Sequence, residues 1–170
     1  LSARDRSLVT MAVNQALYAT DELRIHINRG LDNGVTQAEI AELIPHVLWY
    51  AGFPTGVNAA RVASEVFRER GLEIPSESSP RESRADAEPE FPGVLQATPY
   101  LTELLNQVLY AETWTRPELS PRDRSLITIA VNTALYRTGE INTHVRRGLD
   151  NGLSREQISE IIHHVTWYAG

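Results

Sequence analysis

The sequence predicts an all-α protein made of two tandem helical units, and three observations carry that prediction. First, the stretch from Leu1 to Gly52 recurs from Leu119 to Gly170 under one constant shift, with about 32 of 52 positions identical and no gap. Second, apolar residues inside each copy recur at three- and four-residue spacing, with N-cap residues ahead of them and glycines behind. Third, no segment alternates at the period of a strand.

Ser2 is the first N-cap candidate, with Asp5 three residues on to answer it; in the second copy Pro121 follows Ser120 at a first-turn position. Leu8, Met11, Ala12 and Ala16, repeated as Leu126, Ile129, Ala130 and Ala134, mark the core face of that helix. Thr20 and Thr138 are expected to cap a second helix, which carries Glu22 and His26 in one copy and Glu140 and His144 in the other. Residues four apart share a helix face, so each carboxylate can meet its imidazole. Leu31-Asp32-Asn33-Gly34 should close it, with the glycine in a left-handed conformation. Thr36 with Glu39, and Ser154 with Gln157, open a third helix that buries Ile40, Leu43, Ile44, Val47 and Trp49 or Tyr50. Gly52, Phe53 and Pro54 are expected to break it. A fourth helix then runs from Val57 to Arg70, with Ala60, Ala63, Val66 and Phe67 inward. Residues 75–93 are rich in Ser, Pro and charge and read as a flexible linker. Thr98-Pro99 starts a helix with Leu101, Leu104, Leu105, Val108 and Leu109 along its core face, and residues 114–117 turn into the second copy. The expected organisation is unit one over residues 1–74, a linker over 75–93 and unit two over 94–170. Unit one lacks a leading helix and unit two a trailing one, which reads as a chain trimmed at both ends, the alternative being that each half borrows the missing helix from the other copy or another chain.

Composition narrows the function. A net charge of −6 leaves no basic footprint for nucleic acid. With no cysteine, thiolate metal sites and thiol catalysis are excluded. The five histidines have no metal-ligand spacing, so no metal is expected. No apolar run is long enough for a membrane span, so no membrane partner is expected and a cytoplasmic protein is the default.

The string RPELSPRDRSLITIA, followed by E-x-x-x-H, R-G-L-D-N-G and Y-A-G-F-P, resembles the carboxymuconolactone decarboxylases. These belong to the alkylhydroperoxidase-D-like superfamily, and the resemblance covers nearly all of the chain outside the acidic linker. It implies two tandem alkylhydroperoxidase-D-like units, a homo-oligomeric ring in which a trimer of tandem chains imitates a hexamer, and a cofactor-free lyase of aromatic-acid degradation. The implied substrate is a small carboxylated lactone. The peroxide-reducing branch of the superfamily needs a C-x-x-C pair upstream of its histidine, and neither copy has one.

Decarboxylation leaves an electron pair to delocalise and a carbon to protonate. His26 and His144 are the expected proton donors, because imidazole titrates near neutral pH, with Glu22 and Glu140 orienting them. Without the family resemblance, the same pairs read as surface ion pairs of little worth. Arg6 and Arg124, near helix N-termini, are candidates to hold a substrate carboxylate. Trp114 and Arg116 are candidates to line the same pocket, or to pack the turn. His46 and His164 read as buried or interface histidines, with a secondary catalytic role as the alternative. Asn14 and Asn132 sit among apolar residues, so each amide needs a backbone, side-chain or ligand partner. Two further functions stay open: another lyase or isomerase acting on a biosynthetic intermediate, and a non-catalytic, ring-forming scaffold.

Overall fold

The computed structural model describes residues 1–74 and 97–170. The linker expectation for residues 75–93 lies outside the described residues. The chain divides into one compact unit, Leu1–Ser76 with Glu118–Gly170, and a second, Glu77–Pro117. The two sequence copies therefore share one compact unit.

In that unit the first copy forms α1 (Ala3–Ala16), α2 (Thr20–Asp32) and α3 (Gln37–Ala51), and α4 (Phe53–Glu69) follows it. Ser2 and Thr36 cap α1 and α3 with reciprocal bonds to Asp5 and Glu39. Thr20 is the first helical residue of α2 and not its cap. A tight turn puts Tyr18 at φ 58° and Ala19 at the N-cap position without a side-chain bond. The turn is closed from the other side, where Ala19 N–H donates to the Asn14 carbonyl at 2.9 Å. Gly52 alone breaks the chain between α3 and α4, at φ 95°. Phe53 and Pro54 already belong to α4, where proline's fixed φ suits a first turn. The inward face of α4 is Ala59, Val62, Ala63, Val66 and Phe67; the expected Ala60 is exposed.

The second copy repeats the pattern after α5 (Pro99–Glu103), which is described with the other unit below. It forms α6 (Pro121–Ala134), α7 (Thr138–Asp150) and α8 (Arg155–Ala169), with Tyr136 at φ 54° in the equivalent turn. Arg137, not Thr138, takes the N-cap position of α7. The first glycine of each R-G-L-D-N-G allows α2 to approach α1 and α7 to approach α6. A Cβ at Gly30 would lie 3.1 Å from Met11 Cε, and one at Gly148 would lie 3.0 Å from Ile129 Cδ1.

Leu8, Met11, Ala12, Leu126, Ile129 and Ala130 are fully buried, because α1 and α6 pack on each other at the centre of the unit. Each central helix also packs on the last helix of the opposite copy, α6 on α3 and α1 on α8. Ion pairs cross the seam reciprocally. Arg4 binds Asp123 at 2.9 Å, and Arg122 binds both oxygens of Asp5 at 3.0 Å. Under the repeat shift these are the same contact made twice, the signature of an approximate two-fold axis between the copies.

The second unit, as far as it is described, begins with α5 (Pro99–Glu103), which runs into a widened π-type turn over Leu104–Tyr110. Of the five apolar residues expected on a core face there, only Leu109 is buried, and Leu101 is exposed. Trp114 is buried in a short 3₁₀ turn and stacks on Tyr110, centroid to centroid at 6.1 Å, so it packs its own turn. Arg116 follows it, half-buried.

Candidate active site

Glu42, His46 and Tyr50 are spaced by four along α3 and so form one stripe. Arg124 and Thr128 form a matching pair on α6, and His144 comes from α7. The six side chains meet in one buried cluster. Arg124 Nη2 donates to Glu42 Oε1 at 3.0 Å, and Arg124 Nη1 lies 3.3 Å from His46 Nδ1. His46 Nε2 is 2.8 Å from Thr128 Oγ1, whose hydroxyl donates to the Arg124 carbonyl at 2.8 Å. The Tyr50 ring packs on His46 at 5.6 Å and meets His144 edge-on at 5.4 Å. Arg124 and His46 are fully buried.

Shifting every residue by the repeat length gives a second cluster, from Arg6 and Thr10 on α1, His26 on α2, and Glu160, His164 and Tyr168 on α8. Arg6 Nη1 donates to Glu160 Oε1 at 2.9 Å. His164 Nε2 is 2.9 Å from Thr10 Oγ1, which donates to the Arg6 carbonyl at 2.9 Å. Tyr168 packs on His164 at 5.3 Å and meets His26 edge-on at 5.5 Å. The chemistry is the same and the enclosure differs. The Arg6 and Glu160 side chains are 46% and 41% exposed, against 0% and 3% for Arg124 and Glu42.

Each cluster draws on both copies. The arginine and threonine come from one, and the glutamate, second histidine and tyrosine from the other. The remaining histidine comes from the arginine's copy. Arg6 and His46, from one copy, fall in different clusters, as do Arg124 and His164 from the other.

Burial sets the electrostatics. Burial and then the Arg124 charge hold His46 well below the usual imidazole range. His144 is pushed down to about 4, by burial first and Arg147 second. His26 is lowered by burial, Arg29 and His164, and Glu22 opposes them. His164 is lowered by burial and by Arg6, against Glu160. All four resting imidazoles are therefore neutral at pH 7.

Glu22 and Glu140 share a helix face with His26 and His144, but both carboxylates are exposed. Among the described residues neither hydrogen-bonds its histidine; Glu22 acts on His26 through its field alone. Asn14 and Asn132 are buried, at 3% and 1% exposure. Among the described residues, Asn14 Nδ2 and both polar atoms of the Asn132 amide find no hydrogen-bond partner. Asn132 borders a groove of about 280 Å³ with Tyr136, Ile141, Val165 and Ala169.

Sequence reasoning missed Glu42, Glu160, Thr10 and Thr128; it expected Trp49 or Tyr50 to be buried, and Tyr50 is. A signal for the glutamates was present. Glu42–His46 and Glu160–His164 have the same E-x-x-x-H spacing as the pairs on α2 and α7, and both are identical between copies.

Comparison with known proteins agrees with this architecture. The sequence model of the carboxymuconolactone decarboxylase family matches residues 1–65 and 99–170. A 4-carboxymuconolactone decarboxylase of Acinetobacter baylyi is 47% identical over 72 residues, 42% of this chain and 54% of that protein. A nitrosuccinic acid decarboxylase of Metarhizium robertsii is 30% identical over 77 residues, 44% of this chain and 54% of that protein. The chain thus spans about half the length of the curated relatives it matches. In fold it is similar to the crystal structure of a putative gamma-carboxymuconolactone decarboxylase subunit from Burkholderia xenovorans LB400. That likeness has a TM-score of 0.64 at 24% identity and covers 98% of this chain and 72% of the other. Matched by the family's sequence model over both of these segments, the chain belongs to the carboxymuconolactone decarboxylase family.

Proposed function

We propose that the protein is a cofactor-independent decarboxylase of a small carboxylated lactone such as 4-carboxymuconolactone. The observation that carries this reading is the pair of like clusters, each placing an arginine, two neutral imidazoles and a tyrosine together at a seam between helices. Both curated relatives bear the names of decarboxylases, and their substrates share a carboxylate near an electron sink, a carbonyl system in one and a nitro group in the other.

The reaction breaks the carbon–carbon bond to the carboxylate and releases CO₂, and the electron pair passes into the conjugated carbonyl as an enolate. A proton then joins the carbon. Arg6 and Arg124 hold anionic oxygens, a task for which a planar guanidinium is suited. Glu42 and Glu160 keep that guanidinium in place. His26 and His144, at the far side of the tyrosine ring, deliver the proton. An arriving carboxylate raises the pKa of a neighbouring imidazole, so substrate itself charges the acid that resting burial keeps neutral. Glu22 adds to that charging at His26 through its field.

The test is release of CO₂ from 4-carboxymuconolactone by the purified chain. Turnover should appear without added metal or cofactor. Replacing His26 and His144 together with Gln should lower it by roughly 10²–10⁴ with the helices intact by circular dichroism. A wild type inactive on this lactone and on related unsaturated acids would overturn the reading.

A further inference from the structure

The threonine at the back of each cluster has a role that its burial alone does not explain. Thr128 Oγ1 has one hydrogen, and it is given to the Arg124 carbonyl one turn back along α6. The oxygen can therefore only accept at His46 Nε2, 2.8 Å away. On the other side of the ring, Arg124 Nη1 is a donor without acceptor capacity, so His46 Nδ1 must carry a lone pair towards it. The three contacts agree on one arrangement: hydrogen on Nε2, lone pair on Nδ1. The loop runs from the Arg124 side chain through His46 and Thr128 back to the Arg124 backbone.

The second cluster gives the same answer from different partners. Thr10 donates to the Arg6 carbonyl and so accepts from His164 Nε2, with no arginine bonded to Nδ1 among the described contacts. Two positions that share a sequence register, but not an environment, fix the same nitrogen. The threonine is the common cause.

We infer that Thr10 and Thr128 are positioning residues that hold His164 and His46 in the Nε2–H tautomer; in the buried cluster the His46 Nδ1 lone pair then orients the anion-binding Arg124. His46 and His164 are then acceptors in the ground state and not the source of the proton. That task falls to His144 and His26, across the tyrosine ring. The catalytic consequence rests on the decarboxylase reading; the tautomer itself does not.

The experiment is long-range ¹H–¹⁵N spectroscopy of the uniformly ¹⁵N-labelled full chain at neutral pH, with the histidines assigned from His46→Gln and His164→Gln. His46 and His164 should each show a protonated Nε2 and a bare Nδ1. Thr10→Val should convert His164 to a mixture of tautomers, and Thr10→Ser should restore the single form. Thr128→Val should move the His46 Nε2–H signal and speed its exchange with water, and Thr128→Ser should reverse both. A proton on Nδ1 of either ring in the wild type overturns the inference, as does a Thr10→Val spectrum identical to wild type. On 4-carboxymuconolactone, the paired Thr10→Val and Thr128→Val variant should raise KM about tenfold with a smaller change in kcat. If the spectra follow expectation and no variant turns over the lactone, the tautomer assignment stands and the decarboxylase reading fails.

Discussion

His46, from the first sequence copy, lies 3.3 Å from Arg124, from the second, and both side chains are fully buried. In the equivalent cluster at the protein surface, Arg6 bonds Glu160, and burial and then the Arg6 charge lower the pKa of His164. A repeat usually suggests two independent units, each with its own site. Here the central helices α1 and α6 bring each copy's arginine to the other copy's last helix.

The two ion pairs should respond differently to the same cut. Glu42→Ala removes a buried carboxylate partner from the buried Arg124 charge and should cost about 3–5 kcal/mol of stability. Glu160→Ala removes a solvated partner from an exposed arginine and should leave the unfolding midpoint nearly unchanged. Urea denaturation of the two variants side by side checks this; equal losses would refute the difference in enclosure.

His144 makes stability depend on pH in a defined window. Its folded pKa is about 4, against 6.5 when unfolded, so below 6.5 the unfolded chain binds the extra proton. The contribution is complete above pH 6.5 and is lost as pH falls towards 4, in total about 3 kcal/mol. His46, lowered for the same reason, adds to the slope with the same sign. Denaturation midpoints between pH 7 and pH 4.5 should fall steeply in the wild type and less so in His144→Gln.

The turns at Tyr18 and Tyr136 hold a non-glycine residue at positive φ. Asparagine tolerates that conformation and a β-branched residue does not. Tyr18→Asn should therefore leave stability near wild type, and Tyr18→Val should lower it by about 1–2 kcal/mol. Both midpoints can be read by thermal melts of the full chain.

Much of the fold was legible because it follows local rules. Ser2, Thr36 and Ser154 cap helices where the sequence indicates. The spacing of Leu8, Met11 and Ala12 marks the buried face. Gly34 takes the left-handed conformation that its place after Asn33 suggests. Thr20 and Thr138 misled because a good capping residue stands one place past a turn closed by backbone bonds alone. Ala60 misled because a helix stripe drifts, and Ala59 fits the inward side better. Arg6, Arg124, and the histidines on α2, α3, α7 and α8, were legible as residues with chemistry. Their grouping was not. A self-similar sequence is silent on whether like residues meet within a copy or across copies, since that depends on the packing of α1 on α6. Glu42 and Glu160 escaped because the E-x-x-x-H pairs on α2 and α7 drew attention to carboxylates that the structure leaves in solvent.

The central claim is that each site is shared between the copies, and paired substitutions test it most directly. Both variants carry one arginine and one histidine change, and both are assayed on 4-carboxymuconolactone with circular dichroism as the folding control. Arg124→Met with His46→Gln damages one cluster and spares the other, so the turnover of the intact cluster should remain. Arg6→Met with His46→Gln lies within one sequence copy but damages both clusters, so it should remove most turnover. The opposite ranking, with the same-copy variant active and the cross-copy variant dead, would show that each copy works alone and would contradict the account.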